Sequence, residues 1–572
     1  MGFERTQVVD LGLLPWPQHV VLAGGTLDLS GAGLEVQYTG VQTPRLRAAV
    51  ERLLNPQPGS PVTRVRIACD AISEPTPQLG DCEAYRLVVN EQGIELAAPA
   101  EWGVLAGLGT LAQLRVGDRP LPMCTIDDFP RFSWRGLLVD VARHFVSLET
   151  LQQVMDGMSL CKLNVLHLHL TDDQAFRFPS RRLPVPEPRQ YGPEELRELV
   201  AYGAQRGIRV VPEIDVPGHC TALLVAHPRL GTGHAQPTTR FGPHPGCLDP
   251  TRELVFEALD ELFAEVAEIF PDRFVHIGGD EVDPGWWQAD ADVAQFMRAH
   301  ELTDVAALQA HFMNRIAAQL RKLEKQPIGW DETLHPALAH GVTVQSWRGA
   351  TARNRALASG HDCIVSAPYY LDLNMPADVH YRFDPEAPEA ALQELEDELL
   401  DDPRLLHVAD GMRWTQQWRD QPALPLTARP GQVLGGEACL WAELVTEQLL
   451  VLRLWPRLAA VAERLWSAAE VRCVSRFEAR GAVWLQALSA ATGIDVHAQF
   501  HERMAAAGVP DSWLPLVELL EPVKWYARLL GAQALQARLM GREMPQARPY
   551  DTSSTLDGIV DGDRLLYECL LA

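Results

Sequence analysis

The sequence predicts an α/β protein whose largest part is a closed (β/α)8 barrel, a TIM barrel, preceded by a small α+β domain and followed by a helical tail. Three observations carry that expectation. Between residues 130 and 480, apolar strand-like runs alternate with amphipathic helical stretches, the pattern of a parallel sheet with right-handed crossovers. There are eight such runs, the number that closes a barrel. No G-x-G-x-x-G follows any of them, which removes the main signature of a doubly wound sheet.

The elements are justified in chain order. In 1–129, VTRVRIA (62–68) alternates apolar and polar residues, and YRLVVNEQGIELAAP (85–99) folds back around Asn90-Glu91-Gln92-Gly93. EWGVLAGLGTLAQLR (101–115) then reads as a helix, so strands followed by helix make a small α+β domain. The barrel strands are expected at 135–143, 164–172, 208–215, 273–281, 326–332, 342–347, 363–370 and 433–441. LETLQQVMDGMSLC, PEELRELVAYGAQRG and DELFAEVAEIF supply intervening helices. Residues 481–572, with SWLPLVELLEPVKWYARLLGAQALQARL, carry helical periodicity and no chemical motif. A packing element or a homodimer surface is expected there.

Composition narrows the function. A chain of 572 residues with 47% apolar content builds a large core and more than one domain. A net charge of −25 disfavours nucleic acid and anionic membranes as partners, because both select clustered Lys and Arg. The first residues lack the apolar run of a signal peptide and no segment reaches the length of a membrane span, so a cytoplasmic protein is expected. The 10 cysteines are scattered without C-x-x-C spacing, which indicates neither a disulfide framework nor a zinc cluster. No cofactor is expected.

In a barrel the reactive face is built where strands end. Here the successive ends read Asp140-Val141-Ala142-Arg143-His144, Asp172-Asp173, Asp215-Val216-Pro217-Gly218-His219, Asp280-Glu281, Trp330-Asp331-Glu332, Trp347, Tyr369-Tyr370-Leu371-Asp372 and Trp441-Ala442-Glu443. Alone, each has an ordinary explanation: an acidic pair caps a helix, and a tryptophan fills a core. Their recurrence at one end of successive strands points to a site.

Tryptophans, a tyrosine and several carboxylates suit a polyhydroxylated ring, with aromatic faces against its C–H face and charged groups on its hydroxyls. Sugar hydrolysis by carboxylates ordinarily needs two of them across the scissile bond. Asp280 and Glu281 are neighbours, and neighbours in an extended strand point to opposite faces. A substrate bearing a 2-acetamido group solves this by supplying the nucleophile itself. Glu281 would then serve as acid and base, while Asp280 holds the amide N–H.

RGLLVDVARHF, KLNVLHLHLTDDQ, VPEIDVPGH, the run LDPTRELVFEALDELFAEVAEIFPDRFVHIGGDEV, GGEACLWAE and WPRLAAVAERLW resemble the family 20 glycoside hydrolases, the β-N-acetylhexosaminidases. The resemblance spans the barrel and the small domain before it. It implies exo-hydrolysis of terminal β-linked N-acetylhexosamine through an oxazolinium intermediate, with Glu281 as acid/base, Asp280 as the orienting carboxylate and Tyr370 on the acetamido oxygen. It also implies Trp330, Trp347 and Trp441 as pocket walls, and Arg143, Asp372 and Glu443 on ring hydroxyls. Asp172 and His219 would form a supporting pair behind Glu281. The family's Gly-Trp after Asp172-Asp173-Gln174 is Ala175-Phe176 here, and the segment that follows is short.

Two other classes stand beside this reading. His167-Leu168-His169 is an H-x-H on a barrel strand, and with His219, His276 and Asp280 it admits a metal-dependent amidohydrolase. A non-catalytic N-acetylhexosamine-binding protein is the other.

Overall fold

The computed structural model describes residues 11–520, except 30–31, 58–61, 118, 240–242, 406, 409–410, 417–418, 422–423, 425–426 and 428. Beyond 520 it describes 522, 560 and 563. Most of the expected helical tail lies outside the described residues.

The small domain is a six-stranded mixed sheet: β1 (His19–Leu27), β2 (Gly33–Gly40), β3 (Val62–Ala71), β4 (Tyr85–Asn90), β5 (Gly93–Ala100) and β6 (Leu121–Asp128), in the order β1-β6-β4-β5-β3-β2. β4 and β5 form the expected antiparallel hairpin, while β2, β3 and β5 run parallel. Helices Pro44–Leu54 and Glu101–Leu114 bury one face of the sheet. The other face carries cross-strand ion pairs, Arg86–Asp127 at 2.9 Å and Arg66–Glu95 at 2.5 Å. β1, β2, β6 and the first helix were not resolved by sequence pattern. β1 is exposed over most of its length and so lacks a clean alternation.

The barrel closes from eight parallel strands: β7 (Trp134–Asp140), β8 (Val165–His169), β9 (Arg209–Glu213), β10 (Phe274–His276), β11 (Gln326–Trp330), β12 (Thr343–Ser346), β13 (Cys363–Val365) and β14 (Val433–Leu440). All eight expected strands are present, in sequence order around the barrel. The intervening helices Leu148–Leu160, Pro193–Ala204 and Glu253–Ile269 match the predicted stretches. Ser147 begins the first of these by accepting the Thr150 N–H, an ordinary N-cap.

The strand pleat sends alternate residues inward. At the amino-terminal end of the barrel, Trp134, Val165, Val211, Phe274, Ile328, Ile364 and Leu434 make a dry layer drawn from seven strands. Above it the same strands turn inward His167, His169, Glu213, His276 and Trp330. The interior is therefore sealed by hydrocarbon below and grows polar toward the strand ends, which fixes where chemistry is feasible.

Buried polar contacts tie the two regions together. Asp128 at the end of β6 accepts from Tyr85 Oη (2.7 Å) and Trp466 Nε1 (2.9 Å) and pairs with Lys162 (3.4 Å). Helix Val474–Thr492 runs on past residue 480 and packs on helices Glu101–Leu114 and Leu148–Leu160. Residues 560 and 563 lie against the loop after β13. Asn374 Nδ2 donates to the Val560 carbonyl (2.7 Å), and Asp563 accepts the Ala377 N–H (2.6 Å) and pairs with Arg457 (3.2 Å). Among the described residues no helix is long and apolar enough to cross a membrane. Of the cysteines described, Cys82 and Cys473 are exposed and the rest are buried.

Candidate active site

The carboxylate pair sits on a turn that the sequence reading took for strand. β10 ends at His276, and the chain then turns through Gly278 (φ 61°), Gly279 (φ 90°) and Glu281 (φ 45°). Both glycines are required. A Cβ on Gly278 would lie 1.7 Å from Asp215 Oδ1, and one on Gly279 would lie 2.6 Å from Thr333 Cγ2. Glu281 has a Cβ and still occupies the left-handed region, a strained conformation typical of functional positions. Strand alternation therefore does not apply. Asp280 and Glu281 approach the same imidazole, with His219 Nε2 3.8 Å from Asp280 and 3.6 Å from Glu281. His219 is itself left-handed (φ 49°).

Behind His219 runs a chain of buried groups. Its Nδ1 lies 3.2 Å from Asp172 Oδ1. Asp172 also receives Arg143 Nη2 (2.7 Å) and His169 Nε2 (2.8 Å), and His169 Nδ1 lies 2.6 Å from Glu213. Glu213 in turn accepts from Trp330 Nε1 (3.0 Å) and lies 2.9 Å from His276. Burial disfavours charge on these groups, but alternating partners reverse the outcome for several. Glu213, despite burial, is held well below the carboxylate range by His276 and His169, and Asp172 is held there by Arg143 and His219. His169 and His219 are pushed well above the imidazole range by Glu213 and Asp172 respectively, against the burial that opposes it.

The opposite side of the pocket is aromatic. Trp330 and Trp441 have ring centroids 5.8 Å apart. Trp441 also meets His169 edge-on at 5.1 Å and lies under the Arg143 guanidinium at 5.4 Å. Trp347 and Tyr370 both pack on Trp414, at 5.9 and 5.5 Å. Trp330 is only 1% exposed and makes the floor, whereas Trp347 and Trp441 are half-buried walls. The Tyr370 phenol is raised well above its usual range by burial, so it keeps its proton and can donate it in a hydrogen bond. Asp372 is raised well above the carboxylate range, by burial and then by Glu443, and Glu443 is raised to about 7 by burial. Buried Trp347 Nε1 and Asp372 Oδ1 have no hydrogen-bond partner among the described residues.

All eleven residues singled out from sequence thus occupy the strand-end region: Asp280, Glu281, Asp172 and His219 form one connected group, and Trp330, Trp347, Tyr370, Asp372, Trp441 and Glu443 come from the ends of β11 to β14. Arg143 links the two. It is clamped by Asp140 (3.0 Å), Asp172 and Gln174 (3.0 Å), and it lies 3.9 Å from Glu443. Sequence reasoning gave no role to Glu213 and none to Asp215, and it missed Trp414. Trp414 sits on a short 3-10 helix, Gly411–Gln416, between β13 and β14, where no strand end points to it.

Donor groups spaced for a metal also occur among the described residues. His167, Glu213 and His276 bring one atom each within 4.8 Å, as do Asp172, Asp173 and His219. A metal ligates neutral imidazole, and the imidazoles of these groups differ: burial lowers His276, whereas two others are raised. Glu437 and Glu213 raise His167 to about 9 against the pull of burial, and His219 is likewise held protonated.

Residues 132–469 match the family model "Glycosyl hydrolase family 20, catalytic domain", and residues 10–129 match "Glycosyl hydrolase family 20, domain 2". The human protein "Beta-hexosaminidase subunit beta" is 33% identical over 426 residues, covering 71% of this chain and 69% of its own. The structure of a chitobiase from Flavobacterium johnsoniae superposes with a TM-score of 0.81 at 28% identity, covering 97% of this chain and 82% of that one. A Vibrio harveyi exo-β-N-acetylglucosaminidase, solved in complex with N-acetylglucosamine, gives a TM-score of 0.67 at 25% identity, covering 85% of this chain and 78% of that one.

Proposed function

This chain belongs to glycosyl hydrolase family 20 and is a glycoside hydrolase of the β-hexosaminidase type, and from that premise we propose that it releases terminal, non-reducing β-linked N-acetylglucosamine or N-acetylgalactosamine with retained configuration, using the substrate's own 2-acetamido group as nucleophile. The observation that carries the reading is the placement of Asp280 and Glu281. They are adjacent on one turn and address one imidazole, so they do not form a pair facing each other across a glycosidic bond.

In the first step the acetamido oxygen bonds to the anomeric carbon as the bond from that carbon to the leaving oxygen breaks. Glu281, the more exposed of the pair, gives its proton to the leaving oxygen. Positive charge grows on the amide as the oxazolinium ring closes. Asp280 accepts the amide N–H, and the Tyr370 hydroxyl donates to the acetamido oxygen and orients it. In the second step water attacks the anomeric carbon, Glu281 takes its proton, and the ring reopens. Trp347 and Trp441 flank the sugar above the Trp330 floor. Asp372 and Glu443 accept from its hydroxyls, and Arg143 donates from its clamp.

Proton NMR of the first product tests the stereochemistry: the β anomer is expected, and initial release of the α anomer sinks the mechanism. A panel of aryl β-glycosides with and without the 2-acetamido group tests the nucleophile. Equal turnover of the plain glucoside would overturn it.

A further inference from the structure

One buried carboxyl takes no part in that scheme. Asp215 lies just beyond the end of β9, 2% exposed, and its side chain is wedged against the turn that carries Asp280. Its Oδ1 accepts the Gly279 N–H (3.1 Å), and its own N–H donates to Thr171 Oγ1 (3.0 Å). The fit is tight enough that residue 278 must be glycine. Among the described residues no other group donates to Asp215 Oδ2 or to Asp280 Oδ1, both of them buried. Asp215, Asp280 and His219 each bring a polar atom within 4.8 Å of the others.

Two carboxyl oxygens at that spacing, walled off from water and without donors, are costly if both are ionised and favourable if one proton lies between them. We propose that Asp215 is the positioning residue for Asp280: the two carboxyls share one proton, which stays on Asp215 when Asp280 engages the substrate amide. Asp215 then donates to the rear oxygen of Asp280, leaving the front oxygen anionic and fixed in direction. No proton is gained or lost in the chemical steps; the shared one only changes its resting place.

The surroundings agree. Asp215 is raised to about 7 and Asp280 well above the carboxylate range, each by burial first; Glu213 adds to both and Asp215 adds to Asp280, while a hydrogen bond with Asp280 draws Asp215 back down. His219 faces both and pulls the other way, as does His169 beneath Asp215. Glu281 adjoins Asp280, and Glu332 and Arg348 approach from the ends of β11 and β12. A group raised in the folded state stabilises the fold below its ordinary pKa, and that contribution fades as pH rises through the folded value. For this pair the window runs from about 4 to 7 and above.

Asp215→Asn is the direct test, because its amide nitrogen is a permanent donor that pH cannot remove. The proposal rests on Asp280 holding the substrate amide, so two readouts are taken. In kinetics, Asp215→Asn should keep kcat within about threefold near neutrality and carry its alkaline limb about one pH unit higher, while Asp215→Ala loses about 10- to 100-fold in kcat. In thermal unfolding, which needs no assumption about substrate, the Tm of Asp215→Asn relative to wild type should climb between pH 5 and 8. Parallel Tm profiles overturn the shared proton whatever the kinetics. A climbing Tm with an unmoved alkaline limb leaves the pair standing and overturns its service to Asp280. If Asp215→Asn does not fold, Asp280→Asn reads the pair from the other side. Its Tm should climb relative to wild type over the same range, and a flat difference refutes the proposal.

Discussion

The two arcs of the pocket are built on opposite plans. The arc from β8 to β10 is held largely by its own contacts: Asp172 receives Arg143 and His169 and faces His219, Glu213 receives His169 and Trp330, and Asp215 and Asp280 are set against each other. The arc from β11 to β14 leaves Trp347 Nε1 and Asp372 Oδ1 buried and unpartnered, and raises the Asp372 and Glu443 carboxyls. Groups that move protons must stand in place before the substrate arrives, so the protein holds them with its own hydrogen bonds. On the proposed function, the groups that recognise the sugar are left for the sugar to complete. Damage to the first arc should therefore appear in kcat and pH dependence, and damage to the second in KM.

The largest effect tests the first half of that contrast. Glu281→Gln removes the proton donor and is expected to lower kcat by about 10²- to 10⁴-fold on substrates with poor leaving groups, and far less on activated aryl glycosides. Asp280→Asn should depress both kinds alike, because it disturbs ring closure and not departure. Equal losses on both substrates for Glu281→Gln would remove it from the acid role.

Asp172→Asn comes next and separates stability from chemistry. It leaves the Arg143 and His169 cations in the core without their shared anion, which should cost about 3–5 kcal/mol of stability and at least tenfold in kcat. Asp172 is a depressed carboxylate, so its contribution is present above its ordinary pKa and lost as pH falls below about 4. The Tm gap between wild type and variant should thus be widest at neutral pH and close in acid. Asp215, one strand away, should behave with the opposite sign. Equal pH trends for the two would mean that the charge pattern described for this arc is mistaken.

Trp347→Phe tests the second arc. It keeps an aromatic face beside Trp414 but loses part of the wall and the unpartnered indole N–H. KM should rise several-fold, by about 1 kcal/mol, with kcat nearly unchanged. A kcat loss larger than the KM change would erase the distinction between the arcs.

The same contrast explains what could be read from sequence. Each barrel strand is a short apolar run with a polar residue at its end, a local pattern, so all eight strands and the residues at their ends were legible. The turn at 277–281 was not. Its apolar lead-in FVHI continues the strand pattern, and only the backbone dihedrals at Gly278, Gly279 and Glu281 break it. Glu213 and Asp215 were passed over for another reason. Their importance lies in partners 44 to 117 residues away, His169, Trp330 and the Gly279 turn, and no spacing rule brings those together. In the small domain the missed strands are those with a solvated face or an exposed edge, where alternation is weak.

The smallest effect concerns the far end of the chain. The loop after β13 carries Tyr370 and Asp372, continues through Asn374 in the left-handed region (φ 52°), and enters helix Ala377–Arg382. Asp563 accepts the Ala377 N–H at the start of that helix and pairs with Arg457, whose other nitrogen donates to Asn374 Oδ1 (2.6 Å). Arg457 is fully buried while the Asp563 side chain is 25% exposed, so the pair is partly screened. Asp563→Ala should accordingly cost only about 1 kcal/mol of stability. On the proposed function Asp372 meets the sugar from this loop, whereas Glu281 lies on the turn after β10. The variant should therefore raise KM about two- to fivefold with an unchanged alkaline limb and an unchanged response to leaving group. Asp563→Glu, which restores the charge at a longer reach, should recover part of that loss. A change in the leaving-group response would mean that the chain's end acts on the proton arc, and the division between the two sides of the pocket would have to be redrawn.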